Sequence, residues 1–115
     1  MMELSSQRYE DAVVITVLAE RVVAASAIEF KDKMREMTTG GPGRIILDMA
    51  NVGFVDSSGL GAIVTVMKQL GTGQVLELAA LSPTVEKVFR LTRMDKIFTI
   101  HGGLADVVGD IRKAG

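Results

Sequence analysis

The 115 residues are nearly half apolar, with 13 Lys and Arg against 14 Asp and Glu, so the chain has material for one globular core but not two. A net charge of −1 gives no electrostatic reason to bind nucleic acid or an anionic membrane. The absence of cysteine excludes disulfides and thiolate chemistry, and the single histidine, His101, excludes a His-rich metal cluster.

The elements follow in order. Leu4 to Tyr9 reads as a weak strand, and Glu10-Asp11 as a turn. Ala12 to Leu18 is a stronger strand by its β-branched content. So short a connection makes the pair antiparallel. Ser26 is a candidate cap for a first helix, whose inner face carries Ala27, Phe30, Met34 and Met37. The methionines are core filler rather than a sulfur site. Thr38 to Gly43 turns the chain into a buried strand over 44–49. Val52 with Phe54-Val55 forms a second apolar cluster, expected to lie buried. After Asp56-Ser57-Ser58-Gly59, the spacing of Leu60, Ile63-Val64, Met67 and Leu70 predicts a helix that stops at Gly71-Thr72-Gly73. Gln74 to Ala80 is another strand. Ser82-Pro83 opens a helix with a capping serine and a proline at its first position, and Val85, Val88-Phe89 and Thr92 mark its inner face. A short strand at Ile97 to Ile100 follows. Gly102-Gly103 break it, and Leu104, Val107-Val108 and Ile111 recur at helical spacing to the end. Strands and helices alternate after the opening pair, which argues an α/β fold with a largely parallel sheet and right-handed crossovers.

No stretch reaches the ~18 apolar residues of a membrane-spanning helix. Met1-Met2-Glu3-Leu4 lacks a signal-peptide pattern. The expectation is a single domain over 1–115, soluble, cytoplasmic and not inserted in a membrane.

Ser57 and Ser58 stand where a strand hands over to a helix, next to N–H groups with no backbone partner. Taken locally, Asp56, Ser57 and Ser58 are favoured helix caps, and capping outweighs function. The alternative is a phosphate at the positive end of the helix, with Gly59 and Gly61 admitting close approach by another surface.

The segment resembles the signature of the STAS domain, and within it the anti-sigma factor antagonists of bacterial partner-switching systems. Ile46-Leu47-Asp48, Phe54-Val55-Asp56 and the run Asp56-Ser57-Ser58-Gly59-Leu60-Gly61 carry the likeness, which extends to Ser82-Pro83-Thr84-Val85 and Val88-Phe89-Arg90-Leu91-Thr92. The resemblance implies a compact mixed, mostly parallel sheet of about five strands with about four helices. It implies phosphorylation of Ser57, a partner-binding surface at Asp56, Ser57, Ser58, Gly59, Leu60 and Gly61, and no enzymatic activity, cofactor or metal. The implied partners are an anti-sigma factor that is also a serine kinase, bound by the unphosphorylated form so that a sigma factor or other output protein is released, and a serine phosphatase that resets the switch. Ser57 is expected to face solvent, and Ser58 to cap or pack inward. One departure is visible: where the family carries a Gly-Glu-Leu-Asp-like run, this chain has Glu20-Arg21-Val22-Val23, so the acidic residue falls at Val23.

Two rival functions are a STAS scaffold subunit of a signalling assembly or accessory subunit of a membrane transporter, and a nucleotide or small-ligand domain using the Ser57–Gly61 helix start. The latter lacks accompanying base- or metal-binding residues. Gly40-Gly41-Pro42-Gly43 is no Walker loop, because no Lys-Ser or Lys-Thr follows it. His101 reads as a loop residue, no acidic pair stands out as an acid/base couple, and Glu20-Arg21 and Lys31-Asp32-Lys33 read as solvated surface.

Overall fold

The β-branched run after Glu10-Asp11 turns back on the N-terminal segment, as so short a connection requires. In the computed structural model, which describes residues 2–108, β1 (Leu4–Arg8) and β2 (Ala12–Val17) pair antiparallel, Leu4 opposite Val17 and Arg8 opposite Val13. The following elements are β3 (Arg21–Val22), α1 (Ala24–Thr38), β4 (Arg44–Asp48), β5 (Phe54–Val55), α2 (Ser57–Gln69), β6 (Val75–Ala79), α3 (Pro83–Leu91), β7 (Thr99–His101) and α4 (Ala105–Val108). The main sheet has the order β1-β2-β4-β6-β7, parallel except for the first pair. β3 and β5 form a separate parallel ladder that carries the serine turn.

The pleat sorts side chains to two faces. Val13, Ile15 and Val17 of β2, Ile45 and Leu47 of β4, and Leu76 and Leu78 of β6 meet Phe30 and Met34 of α1, Ala62, Ile63 and Val66 of α2, and Val85 and Phe89 of α3. Phe89 meets Phe98 edge to face, with ring centroids 5.9 Å apart. The other face is a smaller cluster of Ala12, Val14, Ile46 and Ala79 under Tyr9, Leu104 and Val107. Beta-branched and leucine residues thus cover both sides of the central strands, which is why β4 reads as a continuous apolar run.

Several expectations shift. α1 begins before Ser26: Val23 holds the N-cap position, and the Ser26 hydroxyl accepts from the Val23 N–H at 3.4 Å and donates to its carbonyl at 3.2 Å. Ser82 caps α3 as expected, accepting from the Val85 N–H at 3.3 Å. The buried stripe of α2 is centred on Gly59, Ala62, Ile63 and Val66, while Leu60, Val64, Met67 and Leu70 flank it half-buried. Thr92 is exposed rather than inward-facing. Residues 94–96 form a 3₁₀ turn, which moves the last strand from 97–100 to Thr99–His101. α4 is described only to Val108, so the continuation through Ile111 lies outside the described residues.

The smaller face also holds a partly buried charge cluster that no local sequence pattern signals. Arg44 Nε and Nη2 donate to Glu77 Oε2 and Oε1, both at 2.8 Å, across the β4–β6 pair. His101 is therefore not a loop residue. It closes β7, with Nε2 2.7 Å from Glu77 Oε1. The Arg44 hydrogen bonds hold the Glu77 carboxyl below its usual range; burial opposes them, and His101 adds to them. A lowered folded-state value stabilises the protein above the unfolded value near 4.5, and this is lost as pH falls through the folded value. Glu77→Gln is expected to cost about 2 kcal/mol at pH 7, the worth of charge-assisted bonds to a largely buried carboxylate. Chemical denaturation checks this, and the gap between parent and variant narrows as pH falls from the unfolded value through the lowered folded one.

Candidate functional site

The serine turn is built by four segments at one end of the molecule. β5 pairs in parallel with β3, Arg21 beside Phe54 and Val22 beside Val55. The Asp56 N–H then donates to the Val22 carbonyl at 3.3 Å, and the chain enters α2. Asp56 is the N-cap. Its Oδ1 accepts from the Gly59 N–H at 2.7 Å, satisfying one of the free N–H groups of the first turn. Its Oδ2 accepts from the Ala24 N–H at 3.2 Å, so the same carboxylate also serves the first turn of α1. The Gly59 hydrogen bond is the main reason the Asp56 carboxyl lies below its usual range. Partial burial opposes it; the Ala24 and Ser58 N–H groups and the charge of Arg21 assist it. An ionised Asp56 thus ties two helix starts together.

With Asp56 as the cap, Ser57 and Ser58 become the first two residues of α2, and both are exposed. The expectation that Ser58 caps or packs inward is therefore corrected, and the cap falls one residue before Ser57. Among the described residues neither hydroxyl has a hydrogen-bond partner. Gly59 is corrected as well. It faces no outside surface but lies buried against β3, where a Cβ would overlap the Val22 carbonyl oxygen and stand 2.6 Å from its carbon. Gly61 is exposed, with open space around it. Leu60 is half-buried against the core. Phe54, expected in the core, is 41% exposed, because the two-residue β5 turns Val55 inward and Phe54 outward. The Arg21 guanidinium lies 4.7 Å from the Phe54 ring centroid, so Arg21 is not merely solvated surface. Val23, half-buried, begins α1 on the same side.

The corner thus exposes two hydroxyls, one ionised carboxylate, one guanidinium and one aromatic ring. Among the described residues no group of His, Asp and Glu is arranged to hold a metal, and no helix is long and apolar enough to cross a membrane.

Comparison with known proteins places this geometry in a family. The family model described as "STAS domain" matches residues 3–107. A protein of Bordetella bronchiseptica named "Putative anti-sigma factor antagonist BtrV" is 30% identical over 91 residues, 78% of each chain. An anti-sigma factor antagonist from Mycobacterium paratuberculosis has the same fold, with a TM-score of 0.83 at 19% identity over 96% of this chain and 94% of that one. The Bacillus cell fate determinant SpoIIAA in its phosphorylated form superposes with a TM-score of 0.68 at 22% identity, covering 95% of this chain and 97% of that one.

Proposed function

The chain belongs to the STAS domain family, and on that premise we propose that it is an anti-sigma factor antagonist, a binding switch rather than an enzyme, with Ser57 as its phosphorylation site. The observation that carries the reading is the exposed Ser57 hydroxyl on the first turn of α2, directly after the capping Asp56. A kinase active site requires an accessible acceptor hydroxyl, and one without an internal partner is modified at no structural cost. The phosphorylated form of SpoIIAA, on the same fold, supports a switch worked by phosphorylation.

In this account the unphosphorylated protein binds an anti-sigma factor that is also a serine kinase, through the exposed part of Asp56 to Gly61. A sigma factor or other output protein is thereby released. Gly59 contributes by letting α2 sit close to β3, not by touching the partner. Phosphate adds about −1.5 to −2 charges beside an already ionised Asp56. The positive end of α2 accommodates that charge, so the fold stays and the partner surface changes. A coupling of ~3 kcal/mol weakens binding about a hundredfold. A serine phosphatase restores the binding form.

The experiment is titration of the anti-sigma factor kinase with the unmodified and phosphorylated forms. The account expects tight binding of the first and loss of binding by the second. Equal binding of both forms, or capture of a transporter or signalling assembly without a kinase, supports the scaffold or transporter-subunit alternative.

A further inference from the structure

We infer that Arg21 is the side chain that receives the phosphate of phosphorylated Ser57, leaving the face of Phe54 to do so. The inference rests on the reading of Ser57 as the modified residue and adds what happens to the modification once made. β3 is fixed against β5 by its register and by the Asp56 N–H bond to the Val22 carbonyl, so the Arg21 backbone is anchored one residue from the floor on which α2 begins. Its side chain lies along the exposed edge, with the guanidinium 4.7 Å from the Phe54 ring centroid. Its charge already reaches the carboxylate immediately preceding Ser57. A cation over an exposed ring is held weakly, whereas a guanidinium presents paired N–H donors matched to phosphate oxygens.

The other charged groups of the packed elements compete poorly. On α1, Lys33 pairs with Glu29, and Lys31 and Arg35 line a cavity with Gln69 and Leu70 at the far end of α2; on α3, Arg90 pairs with Glu86. Lys68 stands in the last turn of α2, at the far end from Ser57. Glu20 and Asp56 are acidic and repel a phosphate. Lys87 of α3 is exposed and serves as the control cation. Capture by Arg21 offsets part of the added charge, orders the phosphate on the β3 edge, and takes the cover off Phe54.

The test installs phosphoserine at position 57 during synthesis, so it needs no kinase, and follows the phosphate by 31P titration. A neighbouring cation favours the dianion and lowers the second ionisation. Arg21→Gln is expected to raise that pKa by about half a unit, a roughly threefold change in the equilibrium. Arg21→Lys, which keeps the charge but not the paired donors, falls between. Lys87→Gln leaves the pKa unchanged. Arg21 is exposed, so these variants keep the parent's circular dichroism and melting temperature. Identical titrations of the parent and Arg21→Gln overturn the inference, as does an equal shift in Lys87→Gln, which marks a diffuse field. Failure of the unmodified protein to accept phosphate from its kinase overturns instead the reading of Ser57 and leaves this titration readable.

Discussion

Gly59→Ala is expected to melt the domain about 10 °C or more below the parent, a loss on the order of 3 kcal/mol. Substituting alanine for glycine inside a helix ordinarily stabilises by roughly 0.5–1 kcal/mol. Here the added methyl meets the Val22 carbonyl, which is not free to move. That carbonyl accepts the Asp56 N–H, and its strand is paired to β5. Relief requires pulling α2 off the β3–β5 ladder, which also strains both hydrogen bonds of the Asp56 carboxylate. Gly61, two residues on, has empty space around it, so Gly61→Ala is expected to leave the melting temperature equal or slightly raised. Thermal melts of the two variants side by side check this. A Gly59→Ala protein as stable as the parent would mean that the helix start is not seated on β3.

Ser57→Asp is expected to weaken binding of the anti-sigma factor kinase about tenfold or more, the effect of moving a charge onto the contact surface. Aspartate carries less charge than phosphate, so the loss stays below that of the phosphorylated protein. Ser57→Ala is expected to bind as the parent does while accepting no phosphate. Because the exposed Ser57 hydroxyl has no partner among the described residues, both variants keep the fold. Ser58→Ala, at an exposed position with the cap supplied by Asp56, should change stability by less than about 0.5 kcal/mol. Isothermal titration and denaturation of the three variants check these outcomes. Parent-like affinity of Ser57→Asp would place the contact surface elsewhere.

What was legible in the sequence was whatever depends on local pattern. The β-branched run of β2, the Ser82-Pro83 helix start and the spacing of Phe30 and Met34 each fix their element without help from distant residues. The missed features depend on partners far along the chain. β3 is two residues long and is a strand only because β5 lies beside it. That pairing also decides that Phe54 faces out and that Gly59 is needed where it stands. Glu77 in an apolar strand is tolerable because Arg44, 33 residues earlier, spans the β4–β6 pair to meet it and His101 joins from β7. The serine turn shows both limits together. Asp56, Ser57 and Ser58 are all plausible caps by residue type, and three-dimensional structure selects the carboxylate, because one of its oxygens also reaches the Ala24 N–H of a different helix. The choice leaves both hydroxyls outside.

Mass spectrometric mapping after incubation with the cognate kinase and ATP reads directly which hydroxyl takes the phosphate. The account predicts a single phosphate on Ser57 in the parent and in Ser58→Ala, and none in Ser57→Ala. Phosphate on Ser58 alone, or on neither serine, would contradict it.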